Sequence, residues 1–134
     1  MCDAALSLKD TPYRHQGRAP GHGLDCIGLV VAAFKIGAGL EFDIPANYSR
    51  LPSPKLLYSH VSKHCDRVED IQPADVLVLR LQREPQHFAL YVGNNTIVHA
   101  YQTAGKVLAH DLTPQWRNRI KSIHRIKKWA DCSV

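Results

Sequence analysis

Three residues in this chain have the types and the placement that a thiol nucleophile and its base require. Cys26 opens a predicted helix, and His87 and His99 lie on a predicted β-hairpin. A cysteine nucleophile needs a nearby imidazole to accept its proton, and a third group commonly orients that imidazole. The helix start favours a thiolate, whereas the charge of the preceding Asp25 opposes one. From these residues alone, Cys26 is either an activated thiol or a small hydrophobic core residue.

The two histidines share a face of the hairpin only if its turn has a particular length. In a strand over residues 87–92, His87 shares a face with Ala89. A three-residue or bulged turn at residues 93–95 places His99 opposite Ala89, whereas a plain two-residue loop places His99 on the other face. Glycine and asparagine adopt the positive φ that such turns need. We therefore predict a bulged turn with the two imidazoles within side-chain reach.

The remaining pattern predicts an α+β fold in which helices precede strands. Apolar positions 26, 29, 30, 33, 34 and 37 recur at the helical period, and Gly37 and Gly39 end that helix. Shorter helices are predicted over Ala4–Lys9, over Pro54–His64 and after Thr113. Residues 13–25 and 40–54 are predicted loops.

About five short strands with short connections predict a central antiparallel sheet. They are Val76–Leu81, which follows a turn at residues 73–75, and His87–Val92, Thr96–Tyr101, Lys106–Asp111 and Ile123–Trp129. We expect the Cys26 helix to pack on one face of this sheet, within a single domain over residues 1–134.

The charge of the chain is basic and uneven, with 17 Lys and Arg against 12 Asp and Glu. A basic strip lies near the C-terminal end, at Arg117, Arg119, Lys121, Arg125, Lys127 and Lys128. Such a strip attracts nucleic acid, an anionic membrane or an acidic polymer such as cell wall, or it is simply a solvated face. It lacks the interleaved aromatic residues of a single-strand stacking platform, so nucleic acid is not the expected partner. The longest apolar run, residues 26–34, is too short to cross a bilayer.

Cysteine and histidine spacing gives little support to a disulfide framework or a metal site. The cysteines are Cys2, Cys26, Cys65 and Cys132. They show no CxxC pair. His60, His64 and Cys65 form only one of the two tight ligand pairs of a structural zinc site. The N-terminus lacks the basic and apolar segments of a secretory signal, so we expect cytoplasmic action or a route other than standard export.

Four segments, in the right order, resemble motifs of the NlpC-type cell-wall cysteine peptidases, which have a compact papain-like fold. Residues 12–17 (PYRHQG) are similar to P-Y-x-x-G-G, and residues 25–30 (DCIGLV) to D-C-S-G-L-V. Residues 73–76 (PADV) resemble the P-G-D turn, and residues 87–100 resemble the H-V-G-I-Y-x-G…H-A hairpin. The sequences of these motifs are most similar to those of the bacteriophage and prophage branch. Members of that branch are linked to tail assembly or to wall digestion at the tail tip.

The resemblance implies a role for each residue of the site. Cys26 is the implied nucleophile, and His87 is the implied base that later protonates the leaving amine. His99 orients the His87 ring as the third member of a triad. Tyr13 places its hydroxyl near the thiol, and the Cys26 backbone N–H helps to hold the oxyanion. The implied substrate-binding residues are Asp25, Ile27 and Arg14.

The implied reaction is hydrolysis of an amide bond in a peptidoglycan stem peptide, typically between D-glutamate and the following diamino acid. No metal or organic cofactor is expected. Ile27 stands where the family usually has serine, so recognition of a free stem-peptide amine is open. The implied partners are the peptidoglycan peptide and phage tail proteins, with a location on the tail and action at the cell wall. Two alternatives stay open: a non-catalytic tail assembly module, and a thiol-dependent acyltransferase or amidase.

Overall fold

The computed structural model describes residues 1–42, 44, 46, 48, 54–81 and 87–127, with only the backbone of 54–57. Helices occupy the N-terminal half of the chain and strands dominate the C-terminal half, as the sequence predicts. In chain order the elements are α1 (Cys2–Ser7), β1 (Arg18–Ala19), β2 (Gly23–Leu24), α2 (Cys26–Ala38), α3 (Pro54–His64), β3 (Cys65–Val68), β4 (Val76–Leu79), β5 (His87–Gly93), β6 (Thr96–Tyr101), β7 (Lys106–Asp111), α4 (Pro114–Arg117) and β8 (Ile120–Ile126).

The main sheet has six strands in the order β3-β8-β4-β5-β6-β7. Every neighbouring pair is antiparallel, as predicted from the short connections. The expectation of about five strands misses β3, which pairs with β8 from Cys65 opposite Ile126 to Val68 opposite Ile123. Because Asp66 and Arg67 are exposed, this segment carries too few apolar residues to show a strand pattern.

The two faces of the sheet carry different cores. One face presents Phe88, Leu90 and Val98 to a core that α2 shares through residues such as Phe34. The other face carries a smaller cluster, which consists of Leu77, Leu79, Ala89, Ile97 and Leu112. Helix α2 therefore covers one face of the sheet, as predicted.

Helix α2 begins and ends where its sequence predicts. The Asp25 side chain caps its N-terminus by accepting from the Gly28 N–H, and Gly39 ends it in the left-handed conformation at φ 66°. Gly37 does not end the helix, which corrects one expectation. A Cβ at Gly37 would lie 2.5 Å from the Met1 Cα, so glycine there lets the N-terminus pack against α2.

Several predicted boundaries move. The first helix spans Cys2–Ser7 instead of Ala4–Lys9, and β4 ends at Leu79. The predicted loop over residues 13–25 contains the short β1–β2 ladder.

At the C-terminal end, β8 starts three residues earlier than expected, and its predicted end at Trp129 lies outside the described residues. The one-turn helix α4 is confirmed, with Thr113 as its cap. Most of the predicted loop over 40–54, and the side chains of Leu56 and Leu57, also lie outside the described residues. Among the residues that the structure describes, none of the helices has the length and apolar character needed to cross a membrane.

Candidate functional site

The β5–β6 hairpin has the bulged turn that the sequence predicts. Leu90 pairs with Val98, but the register shifts before Gly93 pairs with Thr96. The turn residues adopt positive φ, at 88° for Gly93, 51° for Asn94 and 55° for Asn95. One step beyond the Leu90–Val98 pair, His99 lies opposite Ala89 and on the same face as His87.

Three imidazoles form a continuous hydrogen-bonded row on that face, which we call the imidazole chain (His87, His99 and His110). His87 Nε2 lies 2.8 Å from His99 Nδ1, and His99 Nε2 lies 2.8 Å from His110 Nε2. The row ends at the Asp111 carbonyl oxygen, 2.9 Å from His110 Nδ1. His87 and His99 are fully buried. Burial, with added effects of His87 and His110, lowers the pKa of His99 to about 2, so His99 stays neutral at ordinary pH.

Aromatic side chains hold the imidazole chain in place. The Trp116 ring lies 5.0 Å from His99 and 4.9 Å from His110, and the Tyr101 ring lies 5.2 Å from His99. The Arg119 guanidinium stacks 4.8 Å from the Trp116 ring centre. With two aromatic rings packed against it, His99 has little freedom to rotate, which orients the hydrogen bond to His87.

His110 is a member of the imidazole chain that the motifs and the hairpin pattern do not predict. In the β6–β7 ladder His99 pairs with Leu108 and Ile97 pairs with His110. His110 is therefore the diagonal neighbour of His99 on the same face. The alternation of residues along β7 would have shown this once the two strands were aligned.

Cys26 is the first residue of α2 and is half-buried at the edge of the main core. Helix α2 packs against β5 and β6, which carry His87 and His99. The structure thus packs the helix that starts with the cysteine on the two strands that hold the buried imidazole pair. The helix covers the sheet face that carries Phe88, whereas His87 and His99 are on the face that carries Ala89. The roles of Cys26, His87 and His99 in a reaction remain predictions.

The Asp25 carboxylate is the centre of a buried polar cluster (Asp25, Gln16, Arg18, Gly28 and Tyr48). One oxygen accepts from the Gly28 N–H at 2.8 Å and from Arg18 Nη1 at 3.2 Å. The other accepts from the Gln16 N–H at 2.8 Å and from the Tyr48 hydroxyl. Arg18 also donates to the Tyr48 hydroxyl at 2.8 Å and lies over its ring.

This cluster has an electrostatic consequence beside Cys26. Asp25 is 2% exposed, and its charge is balanced by Arg18. Burial, followed by the hydrogen bond and charge of Asp25, raises the pKa of Tyr48, which keeps that hydroxyl protonated and donating. Arg18 therefore reduces the negative potential that Asp25 alone would place beside Cys26.

The other expected site residues occupy different environments. Tyr13 is half-buried against the main core, and its backbone N–H donates to the Gly105 carbonyl at 2.8 Å. Ile27 is 1% exposed and belongs to the main core, whereas Arg14 is exposed. The positioning role of Tyr13 and the substrate-binding roles of Asp25, Ile27 and Arg14 stay predictions.

The other cysteines and the residues of the basic strip differ in how accessible their side chains are to a reagent or a partner. Burial raises the pKa of the Cys65 thiol to about 12. Arg125 bonds both carboxylate oxygens of Asp75, each at 2.9 Å, so it is a structural residue. Cys132 and Lys128 lie outside the described residues. No group of three or more His, Cys, Asp or Glu in the described ranges is placed to hold a metal ion.

These elements define a compact papain-like α+β fold with a cysteine at the start of its central helix. The model of the NlpC/P60 family matches residues 10–125, and the chain belongs to this family.

Curated relatives and solved structures agree with this assignment. The chain is 26% identical over 126 residues to the murein DD-endopeptidase MepS/murein LD-carboxypeptidase of Escherichia coli K12, covering 94% of this chain and 61% of that protein. It is 30% identical over 118 residues to a probable endopeptidase of Haemophilus influenzae, covering 87% and 66%. The chain thus spans somewhat under two thirds of the length of these relatives.

Among solved structures, the fold is similar to that of NlpC2 from Trichomonas vaginalis, with a TM-score of 0.68 at 21% identity, covering 93% of this chain and 45% of that one. It is also similar to the peptidoglycan hydrolase RipB from Mycobacterium tuberculosis, with a TM-score of 0.65 at 24% identity, covering 92% and 61%.

Proposed function

We propose that the protein is a cysteine endopeptidase that hydrolyses amide bonds in peptidoglycan stem peptides. One observation carries the proposal: the 2.8 Å contact between the buried rings of His87 and His99, on the two strands against which α2, the helix that begins at Cys26, packs. The names of the relatives, as murein and probable endopeptidases, support the substrate class.

In the proposed reaction the Cys26 sulfur attacks the scissile carbonyl carbon while His87 accepts the thiol proton. His87 then gives this proton to the leaving amine, so the C–N bond breaks and a thioester forms. A water molecule, deprotonated by His87, then attacks the thioester carbon. The C–S bond breaks, the carboxylate product leaves, and the proton on His87 returns to the Cys26 sulfur. His99 orients the His87 ring throughout, as the third member of the triad.

We also propose two finer assignments: the bond between D-glutamate and the diamino acid, and an association with a phage or prophage tail. The first differs from the DD-endopeptidase and LD-carboxypeptidase activities in the name of the Escherichia coli relative. The second is supported by the amino-acid sequences of the four motifs, and detection of the protein in purified virions would test it.

The decisive experiment is mass spectrometry of muropeptides digested by wild type, by Cys26→Ala and by the matched thiol control Cys2→Ala. We expect wild type and Cys2→Ala to release identical fragments and Cys26→Ala to release none. Fragment masses identify the bond that is cut, and a mass adduct in place of a free carboxylate shows acyl transfer instead of hydrolysis. Full activity of Cys26→Ala, or a wild type that cuts no muropeptide, would refute the proposal.

A further inference from the structure

We propose that His110 is a positioning residue that, through the Asp111 carbonyl, fixes which ring nitrogen of His99 and of His87 carries the proton. The inference rests on the proposed function in that it takes His87 as the base. It concerns a residue that lies outside all four family-like motifs and that never has to touch the substrate.

The direction of the hydrogen bonds follows from the end of the imidazole chain. A carbonyl oxygen can only accept, so His110 Nδ1 donates to the Asp111 oxygen and carries a proton. In a neutral His110 ring, Nε2 is then the acceptor, and the N–H that points to it belongs to His99 Nε2. His99 is neutral, so its Nδ1 accepts, and His87 Nε2 must donate to it.

This order leaves one particular atom as the base. With the proton on Nε2, the lone pair of a neutral His87 ring is on Nδ1. Proton transfer from a thiol thus has a defined acceptor atom before any substrate arrives. Such preorganisation matters because the wrong tautomer of a catalytic histidine costs about 10⁴-fold in kcat in the Ser-His-Asp triad.

The packing around the imidazole chain supports a fixed direction of its hydrogen bonds. The Trp116 ring contacts both His99 and His110, so neither ring can turn over without displacing it. If His110 were replaced by a small residue, the His99 Nε2 atom would face space open to water, which donates and accepts equally well. The direction of the hydrogen bonds along the imidazole chain would then no longer be fixed.

Nitrogen NMR of the resting protein tests the proposal without any activity measurement. In protein labelled with ¹³C and ¹⁵N, the protonated and unprotonated ring nitrogens of histidine have separate shifts, and the signals of each ring are assigned by through-bond correlation to the backbone of the same residue. At pH 8 we expect the Nε2–H tautomer for His87 and His99 and the Nδ1–H tautomer for His110. An Nδ1–H tautomer of His87 in the wild type would overturn the proposal, even if no variant folded.

Variants supply the second readout. In His110→Ala we expect mixed tautomers at His87 and a fall in kcat of at least about 10-fold with little change in KM, below the roughly 10⁴-fold limit above. In His110→Gln the amide oxygen can accept from His99 and the amide nitrogen can donate to Asp111, so both readouts should largely recover. The matched control is His124→Ala, because His124 is a histidine of the same sheet that bonds to Ser122 and not to the imidazole chain.

The outcomes separate this inference from the proposed function. If His110→Ala keeps wild-type tautomers and wild-type kcat, the positioning role is wrong, while Cys26 and His87 keep their proposed roles. If Cys26→Ala keeps full activity, the proposed function is wrong, and the tautomers of the resting protein still decide what His110 does.

Discussion

Replacement of Asp25 by alanine should be among the most destabilising single substitutions in this protein. The side chain is almost fully buried and accepts hydrogen bonds from four donors in the Asp25 cluster. Asp25→Ala removes the cap of α2 and leaves the other donors without their acceptor. The change therefore acts on the helix that carries Cys26 and on the loop before it.

The magnitude follows from the individual losses. Loss of an N-cap costs about 1 kcal/mol. Each buried donor left without its acceptor costs roughly 1–3 kcal/mol. Removal of one partner of a buried ion pair costs about 3–5 kcal/mol. These losses share atoms and do not add, and Arg18 keeps its bonds to the Gly17 carbonyl and Tyr48. We expect a net loss of about 3–5 kcal/mol in the free energy of unfolding, out of the roughly 5–15 kcal/mol of a typical domain.

Guanidinium unfolding followed by circular dichroism measures this loss, with an unchanged m-value as the check that the transition stays two-state. The matched control is Thr113→Ala, which removes the cap of α4 at an exposed site and should cost no more than about 1 kcal/mol. If Asp25→Ala costs as little as Thr113→Ala, the Asp25 cluster does not stabilise the start of α2.

Two further predictions concern the sheet and the approach of α2 to the loop before it. His99 has a pKa of about 2 in the folded protein against 6.5 in the unfolded chain, so only the unfolded state gains a proton as the pH falls below 7. Its contribution to stability is therefore complete only well above pH 6.5, the pKa of the unfolded chain, and declines by about 2 kcal/mol between pH 7 and pH 5. Urea titrations should show a shallower decline in His99→Gln. An equal slope in both proteins would show that His99 is not buried and neutral. Gly28→Ala would place a Cβ 2.0 Å from the Gly17 carbonyl oxygen, so thermal unfolding should show a loss of about 1–3 kcal/mol or more. A wild-type melting temperature would contradict this close approach.

The hairpin that carries His87 and His99 could be predicted because its information is local. Alternation along two adjacent strands and the positive φ of Gly93 and two asparagines fix the register, and only a bulge satisfies both. The start of α2 could be predicted equally well, because a capping aspartate directly precedes apolar residues that recur at the helical period.

Contacts between segments far apart in the sequence could not be predicted in this way. Arg18 gives no sign in the sequence that it pairs with Asp25 and bonds Tyr48, 30 residues further along the chain. His110 joins His99 only once β6 and β7 are aligned. Residues 65–68 form strand β3 because they pair with β8, whereas their own composition does not favour a strand.

The position of β8 has a consequence for how the chain folds during synthesis. This strand follows all the others described here, yet it lies between β3 and β4. Until residues 120–126 leave the ribosome, β4 exposes the edge of a fully apolar strand, Val76–Leu79, to other chains. The β4–β7 meander can assemble earlier from neighbouring segments. The nascent protein then passes through its most aggregation-prone interval with the strands of the imidazole pair already aligned and two of its six sheet strands, β3 and β8, still unpaired.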